Sequence, residues 1–197
     1  MQNKNLMNNF MCVMPMAGEG IRFKNYGHKT PKPLIKINHI PMFMRSARSF
    51  PNNFKWLFIA DRKIKSKIPF KKNKKFFKNK KFLFLNKKTN GQASTVYKSI
   101  KRLNHKDVII VHSCDLTFDI NLNVLKKKIN ENDLLVFVAK ASRFHFKNHK
   151  QFSWVKRVKD KYKISLKKNF INKKDSKVLI GSFVFKNKKI MKKLINY

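Results

Sequence analysis

Seven short apolar runs set the plan of the chain: residues 10–17 (FMCVMPMA), 55–60 (KWLFIA), 81–85 (KFLFL), 108–114 (VIIVHSC), 134–139 (LLVFVA), 153–158 (SWVKRV) and 178–185 (VLIGSFVF). Most are nearly continuous and rich in β-branched or aromatic residues. Strands covered on both faces read this way, whereas half-exposed strands alternate. Helical patterns lie between them. Met42, Phe43, Ala47 and Phe50 recur at helical spacing behind Pro41. Ala93, Val96, Tyr97, Ile100 and Leu103 form one stripe, and Leu122, Leu125 and Ile129 another. Strand and helix alternate through the first 140 residues. That predicts an α/β fold of three layers, α/β/α, around a mostly parallel mixed sheet, with ligands at the C-terminal ends of the strands. After Lys140 the helical signal weakens, and 150–185 read as strands joined by basic turns.

Within 197 residues, 42% hydrophobic, such a fold builds a full core as one domain, 1–197. No apolar run reaches the length of a membrane span, and MCVMPMA is too short for a signal peptide. Cys12 and Cys114 show neither a pairing pattern nor metal spacing, so the expected location is the reducing cytoplasm. The net charge is +39, from 48 Lys and Arg against 9 Asp and Glu. Lysine greatly outnumbers arginine and is spread along the whole chain, with Asn, Ile and Phe also plentiful. This is the signature of A/T-rich coding, not of a dedicated nucleic-acid reader, which favours the forked arginine. Residues 62–81 read as a solvated lysine-rich face or weak helix. The run 71–84 is the one candidate for a basic, aromatic-studded groove.

Glycine is scarce, 5 in all, yet three fall at Gly18, Gly20 and Gly27. Gly18 and Gly20 follow the first strand and permit positive φ and close backbone approach to a ligand. Successive amides in such a loop converge on an anion. Arg22 adds a fork suited to phosphate, and Lys32 stands between Pro31 and Pro33, which stiffen its backbone. Together they describe a polyphosphate site. The loop is neither a Walker A sequence nor GxGxxG, since Phe23 stands where the third glycine belongs.

The stretch PMAGEGIRFKNYGHKTPKPLIKINHIPMF (15–43) resembles the N-terminal signature of the sugar-1-phosphate nucleotidyltransferases. TNGQASTV (89–96), VIIVHSCDLTF (108–118) and VLIGSFVFKN (178–187) resemble that family's later segments, in the same order. The resemblance covers about residues 10–190. It implies a Rossmann-like nucleotide-diphospho-sugar transferase fold and the reaction of an NTP with a sugar-1-phosphate to give an NDP-sugar and pyrophosphate, with Mg²⁺. Ala17, Gly18, Glu19 and Gly20 would wrap the nucleotide phosphates. Arg22 would hold the pyrophosphate, and Lys32 the α-phosphate or the sugar phosphate. Gly91 and Gln92 would face the base, with Ser94 and Thr95 opening a helix. Asp115 would ligate Mg²⁺, which its place at a strand's C-terminal end independently favours. Asp119 is a weaker candidate and reads better as a helix cap. His112 reads as structural, and the other histidines show no metal spacing.

Three departures stand beside the resemblance. The acid of the family's Glu–Lys pair is missing, so Lys173, in Asn172–Lys173–Lys174, is the best substitute for the phosphate contact; Leu166–Lys167–Lys168 is the alternative. The chain ends before the family's second metal aspartate, as a domain shortened at its C-terminus would. No further helical or β-helix domain is expected after it. Completion of the site by a second copy, as a homo-oligomer, stays open. So do a catalytically impaired nucleotide-binding module, a glycosyltransferase of related fold, for which the acid pair is absent, and a basic polyanion binder.

Overall fold

The computed structural model describes residues 10–69, 79–159, 161–166 and 176–195, with backbone alone for Arg22 and Leu166. The chain divides into two compact units, Met1–Leu135 with Phe183–Tyr197, and Val136–Ser182. In the first unit the elements are β1 (Phe10–Met16), α1 (Ile21–Asn25), a two-strand hairpin of β2 (Lys36–Ile37) and β3 (Ile40–Pro41), α2 (Met42–Ala47), β4 (Lys55–Asp61), β5 (Lys80–Leu85), α3 (Gln92–Tyr97), β6 (Val108–Val111) and α4 (Leu122–Glu131). Then come β7 (Leu134–Lys140), α5 (Arg143–Lys147), β8 (Ser153–Val158), β9 (Lys161–Leu166), β10 (Lys177–Phe185) and α6 (Lys188–Ile195).

The sheet of the first unit runs β5-β4-β1-β6-β10. The first four strands are parallel, and β10 joins antiparallel through Phe183–Phe185. Residues paired across a sheet point to the same side, so each strand sends alternate residues to opposite faces. One face is aliphatic: Val13, Leu57, Ile59, Ile109 and Val111 pack with Val96 of α3 and Met191 of α6. The other face is aromatic. Trp56 stacks on Phe58 at 5.2 Å and Phe58 on Phe82 at 5.0 Å, while Phe43 of α2 meets Phe58 edge-on. The runs look continuous in sequence because both faces are apolar. Helices on both faces of a mostly parallel sheet are the arrangement that the strand–helix alternation predicts.

Several details depart from the sequence expectation. The 91–103 pattern is an α-helix only to Tyr97. Ser99 Oγ donates to Val96 O at 2.6 Å, a side-chain bond that competes with helical continuation, and Ile100–Arg102 form a 3₁₀ turn. Ala93 and Tyr97 face outward, and the buried stripe is Val96, Ile100 and Leu103. α4 is capped by Asn121, whose side chain accepts from the amides of Asn123 and Val124, and not by Asp119. α6 was not expected. Its apolar positions, Ile190, Met191 and Ile195, sit among many lysines, yet Met191 is fully buried in the aliphatic face. Of the lysine-rich segment, Arg62–Lys67 form a 3₁₀ helix capped by Asp61, and 70–78 lie outside the described residues.

In the second unit β8 and β9 form an antiparallel hairpin. Its core is Trp154, fully buried, stacked on Phe146 at 5.2 Å, with Nε1 donating to His149 O at 3.1 Å. α5 starts at a capping box of Ser142 and His145, a short local signal that the weak periodicity there conceals.

The apolar run 108–114 contains a strand only to Val111. His112 keeps one ladder bond, donating its amide to Val13 O at 3.0 Å, and the chain then turns. Its imidazole is fully buried between Phe50 and Phe118. Ser46 of α2 gives its hydroxyl proton to Ser113 O at 2.6 Å, so its oxygen is left to accept from His112 Nε2 at 2.9 Å. The ring is a buried structural group, as its strand position suggests. Burial pushes its pKa down to about 4 from an ordinary 6.5, against smaller opposing effects of hydrogen bonds to Ser46 and Leu116 and of the Asp115 charge. The unfolded chain therefore takes up a proton near pH 6.5 that the folded chain refuses until about pH 4. Stability falls as pH drops through that window, by about 3 kcal/mol in all. Urea titrations between pH 7 and pH 4 should show this fall, and His112→Gln should remove that share of it. An unchanged slope in the variant contradicts the assignment.

Candidate functional site

Parallel pairing aligns the C-terminal ends of β1, β4, β5 and β6, and the loops that leave β1, β5 and β6 surround a cavity of about 650 Å³. Three stretches form most of its wall: Pro15–Ile21 at the end of β1 and just beyond it, Lys88–Gln92 after β5, and Ser113–Asp115 after β6. Phe23, Lys32, Pro33 and Thr95 complete it.

The glycine loop has a specific geometry. Gly20 has φ +62°, and a Cβ there would stand 2.9 Å from Lys32 Cβ, so the loop packs directly on the Lys32 segment. Gly18 has no left-handed φ, contrary to the expectation from sequence. A Cβ on it would meet open space, on a loop that lines the cavity. The stiff segment around Lys32 is a 3₁₀ turn, Lys32–Leu34, held by Leu34 N donating to Pro31 O at 2.8 Å, with Pro33 and Leu34 buried. The Lys32 ammonium lies 5.5 Å from the centre of the Phe23 ring. Phe23, the residue that breaks a GxGxxG pattern, is therefore a wall for this lysine. The ammonium meets the Asp115 carboxylate at 2.6 Å.

The loop carrying Asp115 is tied at two points, to α2 and to the turn that follows it. Ser46 bonds Ser113 O, and the Phe118 amide donates to Ser49 Oγ at 3.0 Å. Across the cavity, Glu19 is ion-paired with Lys88; the hydrogen bond and the charge of Lys88 lower the Glu19 pKa, and Glu19 raises that of Lys88. Gly91, at φ +108°, is the N-cap of α3, and its carbonyl accepts from Thr95 Oγ1 at 2.9 Å and Ser94 Oγ at 3.2 Å. Thr89 and Thr95 share a further hydroxyl bond, which pins the loop before α3 to its first turn. Cys114, also in the wall, is buried, and burial pushes its thiol up to about 12, so it stays protonated at neutral pH. Among the described residues no group of three or more His, Cys, Asp or Glu side chains converges on one point.

No protein-family model matches the chain, and no curated protein sequence matches it significantly. Solved structures do. A nucleoside-diphosphate-sugar pyrophosphorylase from Vibrio cholerae RC9 superposes with TM-score 0.73 at 21% identity, over 94% of this chain and 77% of that one. The inositol-1-phosphate CTP transferase from T. maritima gives 0.72 at 15% identity, over 96% and 75%. HddC from Yersinia pseudotuberculosis, complexed with GMP-PN, gives 0.72 at 15% identity, over 92% and 78%. The chain has the fold of the sugar-1-phosphate nucleotidyltransferases.

Within this nucleotidyltransferase fold, Ala17, Gly18, Glu19, Gly20, Lys32, Gly91, Gln92 and Asp115 all line the one cavity, although they come from four separate stretches of sequence. The Arg22 side chain and Lys173 lie outside the described residues, as do Asn172, Lys174 and the lysines after Leu166. Sequence reasoning missed Lys88, the partner of Glu19, because one lysine among so many carries no signal. It also missed Ser46 of α2 and Ser49 of the turn after it, whose hydroxyls hold the Asp115 loop from some 70 residues away in sequence. No helix among the described residues is long and apolar enough to cross a membrane.

The two loop glycines make a discriminating pair. Gly20→Ala forces a side chain into a left-handed φ and against Lys32, and should cost about 2 kcal/mol in chemical denaturation. Gly18→Ala should leave stability within about 0.5 kcal/mol. Equal losses of stability in the two variants would contradict this division of roles.

Proposed function

We propose that the chain is a sugar-1-phosphate nucleotidyltransferase, joining an NTP to a sugar-1-phosphate with release of pyrophosphate. The observation that carries this reading is the convergence of the glycine loop, Lys32, Asp115 and the Gly91–Gln92 turn on one cavity at the C-terminal ends of the parallel strands. In such a reaction two anions must meet. The protein's work is to position them and neutralise charge that develops on the phosphate oxygens.

The backbone of Ala17–Gly20 cradles the nucleotide phosphates, and Gly18, bare of a Cβ, lets them approach closely. Lys32 is a point charge on a stiff turn, its stem packed on Gly20 and its ammonium beside the Phe23 ring, and it neutralises the α-phosphate or the incoming sugar phosphate. Gly91 and Gln92 face the base. Arg22 is assigned to the pyrophosphate and Lys173 to the sugar phosphate. A divalent ion such as Mg²⁺ fits the donor chemistry present: Asp115 offers a carboxylate about one-third exposed at the cavity wall, and Mg²⁺ typically takes one or two carboxylates plus substrate phosphates. When bound it supplies charge neutralisation at the phosphate oxygens.

Purified chain incubated with Mg²⁺, each NTP and a panel of sugar-1-phosphates should release pyrophosphate for at least one pair. Asp115→Asn should cut that rate by on the order of 10²-fold or more. Absence of release, together with no NTP shifting the melting temperature, contradicts the reading. NTP binding without turnover reduces it to a nucleotide-binding module.

A further inference from the structure

The cavity is electrically unlike the chain around it. The chain carries +39, but the cavity wall among the described residues holds two lysines and two carboxylates, and each lysine is paired with one carboxylate. Two of the chain's 9 acidic residues are thus spent on a site whose ligand is read as a polyanion. Lys88 is engaged by Glu19. Lys32 is engaged by Asp115 at 2.6 Å, with its side chain one-fifth exposed and that of Asp115 about one-third exposed.

We propose that the Lys32–Asp115 pair makes the binding of nucleotide and of divalent cation mutually dependent. The inference rests on the reading of Asp115 as the metal acid and Lys32 as a phosphate ligand. A cation that approaches Asp115 alone meets the Lys32 ammonium already on the carboxylate, and must displace it against like-charge repulsion. A phosphate that approaches Lys32 alone must take the ammonium from Asp115 and leave that carboxylate unneutralised beside an anion. When both arrive together, each releases the partner the other needs: phosphate draws off Lys32, and the cation takes over Asp115. The Lys32 turn is anchored by buried Pro33 and Leu34 and by Gly20 packed on its Cβ, so the exchange is made by the outer side chain and not by a moving loop. The device rejects bare cations and uncomplexed anions and admits the metal–nucleotide complex. Coupling of this kind is reciprocal by thermodynamic necessity, and typical values put it on the order of ten-fold.

Binding, without turnover, tests it. Mn²⁺ alone is titrated into the full chain and followed by electron paramagnetic resonance. Wild type should bind weakly, and Lys32→Met about ten-fold more tightly. The double variant Lys32→Met with Asp115→Asn should lose that gain, and the exposed Lys36→Met should match wild type, which separates the local pair from the chain's general charge. In the reciprocal arm, each NTP is titrated in EDTA, where Asp115→Asn should bind about ten-fold more tightly than wild type. If wild type and Lys32→Met bind Mn²⁺ equally and both lose it with Asp115→Asn, the coupling is overturned while Asp115 stands as the metal acid. If Mn²⁺ binding ignores Asp115→Asn altogether, the underlying reading of Asp115 fails. An equal gain in Lys36→Met also overturns the coupling.

Discussion

The parallel pairing of β1 with β6 is the constraint on which the site depends. It sets Phe10 against Val108 and Val13 against Val111, so both strands end at the same edge of the sheet. Whatever follows β1 and whatever follows β6 must then share one space. The glycine loop follows the first and Asp115 the second. With β5 in register beside β4, the Lys88–Gln92 loop enters the same space. What holds the register is apolar: a sheet with an aliphatic face under α3 and α6 and a stacked aromatic face under α2.

Local detail then converts proximity into geometry. Gly20 lies against Lys32, Phe23 flanks its ammonium, and Asp115 receives it. Ser46 carries two demands at once. It gives its proton to Ser113 O and accepts from His112, so one buried hydroxyl joins α2, the end of β6 and the loop that presents Asp115. The neutral state of His112 is part of that arrangement, since a charged ring there would have to pay for burial.

Much of this was legible in sequence for a physical reason. Buried parallel strands leave continuous apolar runs, and glycine and proline are too scarce here to cluster by accident, so β1, β4, β5, β6 and β10 and the glycine loop could be read directly. The unreadable parts share another cause. A composition saturated with lysine hides any lysine with a function, which is why Lys88 and its pairing with Glu19 left no trace. The lysines of α6 masked its buried face. The end of β6 was overrun because His112 and Cys114 are as buried as strand residues although the chain has already turned. Asp119 looks like a cap in sequence because acids often cap helices, but it is Asn121, two residues on, whose amide oxygen lies over the first amides of α4.

The charge of the chain and the charge of the site are separate matters. A surface of +39 attracts polyanions without selecting among them, and salt screens it. Among the described residues each lysine of the cavity wall is paired with a carboxylate, and the proposed selection of nucleotide rests on those pairs. A crystal structure of the chain with a non-hydrolysable NTP and Mg²⁺ tests this most directly. The account predicts the triphosphate against the Gly18–Gly20 backbone, with the Lys32 ammonium moved from Asp115 onto a phosphate oxygen. A nucleotide bound outside this cavity, or a triphosphate in it with the Lys32–Asp115 pair intact, would contradict it.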